Sequence, residues 1–154
     1  MAVTNSMEND RGKMVLVAAG AASVALWVLP ELRPALWPLT LFNTYVHELC
    51  HAVATVLTGG RVARVVVEAD GNGLTLSQGG WPLVIVAAGY LGSSLVGGGV
   101  LALSRDASTA TKVLAGLAAV LAAALLLVVR GTFVGWVVGL IWAVGLAACA
   151  RFLP

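Results

Sequence analysis

Polar and apolar positions along this chain fall into long apolar blocks broken by short polar ones. Residues 1–13 are polar and read as a tail outside a membrane. Met14 to Leu29 is apolar and stops at Pro30, a run that approaches the length of a membrane-spanning helix. A cleaved leader is disfavoured, because its apolar region would be long and no clear small-x-small cleavage site precedes Glu31. Pro30, Pro34 and Pro38 punctuate a connection, since proline disfavours helix at the residue before it. A second helix is expected from Leu39 to Thr58, ended by Gly59-Gly60. Further helices are expected over about 81–104, 113–129 and 132–150, with Arg105 to Thr109 as a polar loop. With 14–30 and 39–58 these make about five spans of one membrane domain, residues 14–154.

Between the second and third helices the pattern changes. Arg61 to Glu68 is rich in β-branched residues, Asp70-Gly71-Asn72-Gly73 is a strong turn signal, and Leu74 to Gln78 alternates. Two such runs around a glycine-rich turn predict a β-hairpin over about 61–78. An open hairpin leaves unpaired edges that hydrocarbon does not tolerate, so it belongs at the interface or against protein in a cavity. The fold class is therefore a mainly α, multi-pass membrane helical bundle with a short β-hairpin. In the third helix Gly89, Ser93 and Gly97 recur every four residues, with Ala88, Gly92 and Gly98 nearby. Small residues so spaced let membrane helices approach closely, and the second helix is the expected partner.

Composition agrees with that pattern. Of 154 residues 60% are hydrophobic and 10% charged, with a mean hydropathy of +0.97. A soluble domain carries about a quarter charged residues, so much of this surface faces the lipid bilayer. The net charge of +2 gives no basis for nucleic-acid binding. The basic residues flank the apolar runs, as charges bordering membrane spans do. Cys50 and Cys149 lie in apolar runs and form no disulfide framework.

The candidate chemistry is concentrated in His47-Glu48-Leu49-Cys50-His51, which holds both histidines of the chain. Positions i and i+4 of a helix share a face, so the two imidazoles can reach one Zn²⁺. Glu48 sits at the edge of that face, where it can take a proton from an activated water and return it to a leaving amine. Ionisable groups in an apolar helix cost several kcal/mol unless partnered or functional, which favours a metal site over a cluster that merely hydrogen-bonds neighbouring helices. Asn43 shares the His47 face and either lines a wet cavity or makes an interhelical hydrogen bond. Cys50 points away and reads as packing.

These features resemble the site-2-protease-like M50 metallopeptidases, and more closely the bacterial M50B-like group. The resemblance rests on His47 to Ala52, Leu57 to Val62, the hairpin Gly71 to Thr75, and Ala88 to Ser94, in that order. It implies a multi-pass zinc protease of the bacterial cell membrane that cleaves a membrane-protein or peptide substrate in or near the bilayer. His47 and His51 would bind zinc, Glu48 would be the general base, and the hairpin would guide an extended substrate. The chain departs from the family at the third zinc ligand, usually a later Asp. No Leu-Asp-Gly follows the motif, Asp70 reads as a turn residue and Asp106 lies in a loop. The expectation is a chain shortened relative to the family or a reduced paralogue. A catalytically inactive M50-like protein acting as a binding or regulatory partner is the alternative. A transporter-like bundle is a weaker third reading, since no other charge falls inside a span.

Overall fold

A computed structural model describes residues 13–15, 17–22, 24–25, 28–29, 31 and 33–152. The chain divides into two compact units, Met1–Trp37 and Pro38–Pro154. The first unit contains α1 (Lys13–Ala22), a short apolar helix. At 1.5 Å per residue it is about 15 Å long, half the thickness of a bilayer core. The remainder of the expected 14–30 span includes positions outside the described residues.

The helix α2 runs over Arg33–Leu57, six residues further toward the N-terminus than expected. The prolines explain the shift. Pro34 falls in the first turn, where its missing N–H would have had no intrahelical partner. Pro38 lies inside the helix and removes one bond to the carbonyl of residue 34. The predicted stop at Gly59-Gly60 is present. Gly59 N–H bonds to the carbonyl of Val56 and Gly60 N–H to that of Thr55, at 3.0 and 2.8 Å. Gly59 takes the left-handed conformation this cap requires, with φ of 84°.

The hairpin follows as β1 (Arg61–Val67) and β2 (Gly73–Gln78), paired antiparallel with a bulge between Val62 and Arg64. Asp70 closes the turn by accepting the Asn72 backbone N–H at 3.0 Å and its side-chain amide at 2.7 Å. Asp70 is thus a turn residue, as its sequence context indicated.

Three helices complete the chain: α3 (Pro82–Leu103), α4 (Ala107–Leu127) and α5 (Phe133–Phe152). All three are long and apolar enough to cross a membrane. Among the described residues the expected five spans are therefore five helices, of which three meet that standard. The helix α2 has 25 residues, ample length, but Asn43, His47, Glu48, His51 and three threonines lower its hydropathy. The helix α4 begins at Ala107, inside the stretch expected to be a polar loop. Asp106 caps it by accepting the Thr109 N–H at 2.9 Å.

The core joins α2, the hairpin, α4 and α5. Leu41 and Tyr45 of α2, Val65 and Val67 of β1, Leu121 and Leu125 of α4, Val129 beyond it, and Val138 of α5 are buried together. The hairpin is strapped to the α4–α5 connection on its outer side. Val65 N–H bonds to Val128 O at 2.8 Å and Arg130 N–H to Val65 O at 2.9 Å, a parallel bridge along the free edge of β1. Thr132 donates to the carbonyl of Val67 at 2.7 Å, and the Tyr45 hydroxyl donates to the carbonyl of Gly135. These contacts hold the hairpin, α2 and α5 in register.

Packing of α3 on α2 partly follows the expected stripe of small residues. The contact runs through Ile85, Gly89 and Gly92: Gly89 lies against His47 and His51, and Gly92 against Cys50. Gly97 and Gly98, expected to extend it, face open space. The outward side of α3 exposes Leu83, Val86, Leu91 and Leu95, a surface suited to lipid.

Candidate metal centre

Five helical positions of α2 carry the centre. His47 and His51 stand one turn apart on the same face, with Glu48 beside them, and their ligand atoms all lie within 4.8 Å of one another. The two Nε2 atoms face each other at 3.1 Å. Two tetrahedral ligands with bonds of about 2.0–2.1 Å would stand roughly 3.3 Å apart, so the observed separation suits a shared ion. Among the described residues no other His, Cys, Asp or Glu joins this group.

Each side chain is oriented from outside α2. The Nδ1–H of His51 donates to the carbonyl of Ile85 on α3 at 2.6 Å. That bond fixes the tautomer and leaves the Nε2 lone pair directed at His47, the arrangement in which a second partner holds a metal-binding imidazole. Two opposed ring nitrogens at this distance are joined either by an N–H···N hydrogen bond, with the hydrogen on His47, or by a metal ion between them. The ring of His47 also meets Tyr90 of α3 edge-on, with centroids 4.6 Å apart.

Gly89 closes the centre from α3. A Cβ there would stand 2.5 Å from the Nε2 of His51 and would collide with the Nε2 of His47. No side chain fits at this point, and the space in front of both nitrogens stays clear. This observation, with the oriented lone pair, shows that the residues present fit a metal ion bound by His47 and His51.

Glu48 is buried, with 6% of its surface exposed, and it is not left unpartnered. Thr75 of β2 donates to its Oε2 at 2.7 Å and lies 3.0 Å from its backbone oxygen. Thr44, one turn before Glu48, donates to the carbonyl of Gly71 at 2.8 Å. The hairpin therefore sits directly on the motif. Between them lies a cavity of about 340 Å³ lined by His47, Glu48, His51, Gly73, Leu74, Thr75, Ile85 and Val86.

The structure brings His47, Glu48 and His51 together and separates the weaker candidates from them. Asn43 does not line this cavity; it lies in an apolar groove with Phe42, Val46 and Ser93. Cys50 lines a different apolar pocket with Leu49, Val53 and Gly92, consistent with packing. Thr75, Ile85 and Tyr90 were not visible as site residues in the sequence, because nothing in their local pattern marks them.

A family model described as Peptidase M50B-like matches residues 16–154. Comparison with curated proteins and with solved structures returns no match.

Proposed function

The chain belongs to the Peptidase M50B-like family, and from that premise we propose that this integral membrane protein is a zinc metallopeptidase that hydrolyses peptide bonds in or near the bilayer. The observation that carries the reading is the convergence of His47 Nε2, His51 Nε2 and the Glu48 carboxylate on one cavity. His47 and His51 hold the zinc ion, which when bound supplies Lewis acidity toward water and the scissile carbonyl. Glu48 accepts the proton of the attacking water and delivers it to the leaving amine. Burial of Glu48 strengthens the electrostatic contacts it makes.

The hairpin supports a peptide substrate. The outer edge of β1 is occupied by Val128 to Arg130, whereas among the described residues no strand pairs with the outer edge of β2. Gly73, Leu74 and Thr75 of β2 line the cavity. An extended peptide added to that edge would run past the motif, with main-chain hydrogen bonds giving affinity.

A second reading, a catalytically inactive relative acting as a binding or regulatory partner, is favoured by one observation. Catalytic zinc sites use three protein ligands, and only Glu48 joins the two histidines among the described residues. Metal analysis and cleavage of casein in detergent separate the two. The expected outcome is zinc in the purified wild type, none in His47→Ala, and zinc without cleavage in Glu48→Gln. Zinc-loaded wild type that leaves casein and a panel of transmembrane peptides intact would favour the inactive reading. Wild type that holds no more zinc than His47→Ala removes the metal site itself.

A further inference from the structure

Two groups of the hairpin bear on Glu48, and neither is explained by substrate guidance. Thr75 Oγ1 donates to Glu48 Oε2 at 2.7 Å. Gly73 lies so close on the other side that a Cβ there would stand 2.5 Å from Oε1 and 2.6 Å from Cγ. The carboxylate is clamped with one oxygen engaged. Thr75 is itself fixed, because it pairs with Val65, the fully buried residue whose backbone is strapped to Val128 and Arg130.

We propose that Thr75 is a positioning residue whose hydroxyl tethers Glu48 to the hairpin, keeping the carboxylate out of the metal's coordination shell and available as a base. The inference rests on the zinc-peptidase reading above. The Glu48 ligand atom is within 4.8 Å of both histidine nitrogens, a distance that a change of side-chain rotamer can close. Two histidines alone leave a shell short of the three protein ligands of ordinary catalytic zinc sites, so an untethered carboxylate beside them is drawn in. A carboxylate bound to the ion is a weaker base, because the cation favours its deprotonated form, and it is displaced from the attacking water. The hairpin thereby does more than receive a strand: its docking decides whether Glu48 acts as ligand or base.

The test uses the full chain in detergent with Co²⁺ as probe, reading affinity by chelator competition and coordination by the visible absorption band. Thr75→Val keeps the shape and removes the donor. It is expected to bind Co²⁺ about tenfold tighter or more, in line with the size of effects from groups that orient ligands, with a changed band and loss of casein cleavage. Thr75→Ser restores the hydroxyl and is expected to behave as wild type. Adding Glu48→Gln to Thr75→Val should remove the gain in affinity. Thr75→Val with the wild-type band and affinity, or with weaker binding, overturns the proposal, as does Thr75→Ser behaving like Thr75→Val. Failure of the zinc reading is distinguishable, because then wild type itself shows no band that depends on His47.

Discussion

The helix pair α4–α5 and the helix α3 are all apolar enough to cross a membrane but are held very differently. Ala118, Leu121, Ala124 and Leu125 of α4 and Gly135, Val138, Gly139, Ala143, Leu146 and Ala150 of α5 are buried. In α3 only Gly89 is buried. Yet α3 supplies three of the groups that touch the histidines: the Ile85 carbonyl, Gly89 and the Tyr90 ring. The α4–α5 pair serves the site at a distance, by strapping β1 and so fixing Thr75. Stability is thus concentrated in one half of the bundle and ligand orientation in the other. A helix with so little buried surface belongs to the low-stability end of a fold, where opening is easiest.

One type of substitution, glycine to alanine, tests this division at three places. The largest effect is expected at Gly89. A Cβ there meets the ends of both imidazoles, which are side-chain tips and can move, so the damage falls on the ligands rather than on the backbone. Gly89→Ala should lower Zn²⁺ affinity by about 10–100-fold with little change in thermal unfolding. Gly97→Ala, eight residues along the same helix and in open space, should change neither. Equal metal affinity in all three proteins would mean that α3 does not close the centre.

The opposite result is expected at Gly139 of α5. A Cβ there would stand 2.7 Å from Leu125 Cδ2 and 2.8 Å from the Tyr45 hydroxyl, and both partners are buried in the core. Overpacking of this kind costs typically 1–3 kcal/mol. Gly139→Ala should therefore unfold at lower temperature while keeping its Zn²⁺ affinity close to wild type. Loss of metal without loss of stability would show that the two halves are coupled through Tyr45 and α2 more tightly than their contacts indicate.

The same division explains what the sequence revealed. The His47, Glu48 and His51 set was legible because all three lie on one helix, where spacing alone sets the face. The hairpin was legible from Asp70 to Gly73, and the end of α2 from Gly59-Gly60, because turns and caps are local chemistry. Thr75, Ile85 and Tyr90 reach the motif from β2 and α3, and a threonine that alternates in a strand looks the same whether or not a carboxylate waits opposite it. Ile85 acts through its backbone carbonyl, which no side-chain pattern encodes. The starts of α2 and α4 were misplaced for a different reason. Pro34 and Asp106 resemble breaks in the chain, yet a proline in the first turn and an aspartate at the N-cap both mark a helix beginning.

Asp106 carries the smallest expected effect, at the junction between the two halves. Its carboxyl is held below the usual carboxylate range, first by the hydrogen bond from the Thr109 backbone N–H, then by the Thr109 side chain, with Lys112 adding to them. A negative charge at the start of α4 is also favoured by the helix dipole. Because the folded pKa is the lower one, the stabilisation is present above the unfolded value of about 4 and is lost as pH falls through the folded value. The advantage of wild type over Asp106→Ala should thus be full near neutral pH and should shrink in acid below about pH 4. The group is fully exposed, so the difference is small at every pH. Asp106→Asn, which keeps a capping oxygen without the charge, should remove most of the pH dependence while retaining part of the stability. If wild type and Asp106→Ala differed equally at all pH values, the start of α4 would owe its stability to the hydrogen bond alone, and charge would play no part in how the α3–α4 turn is held.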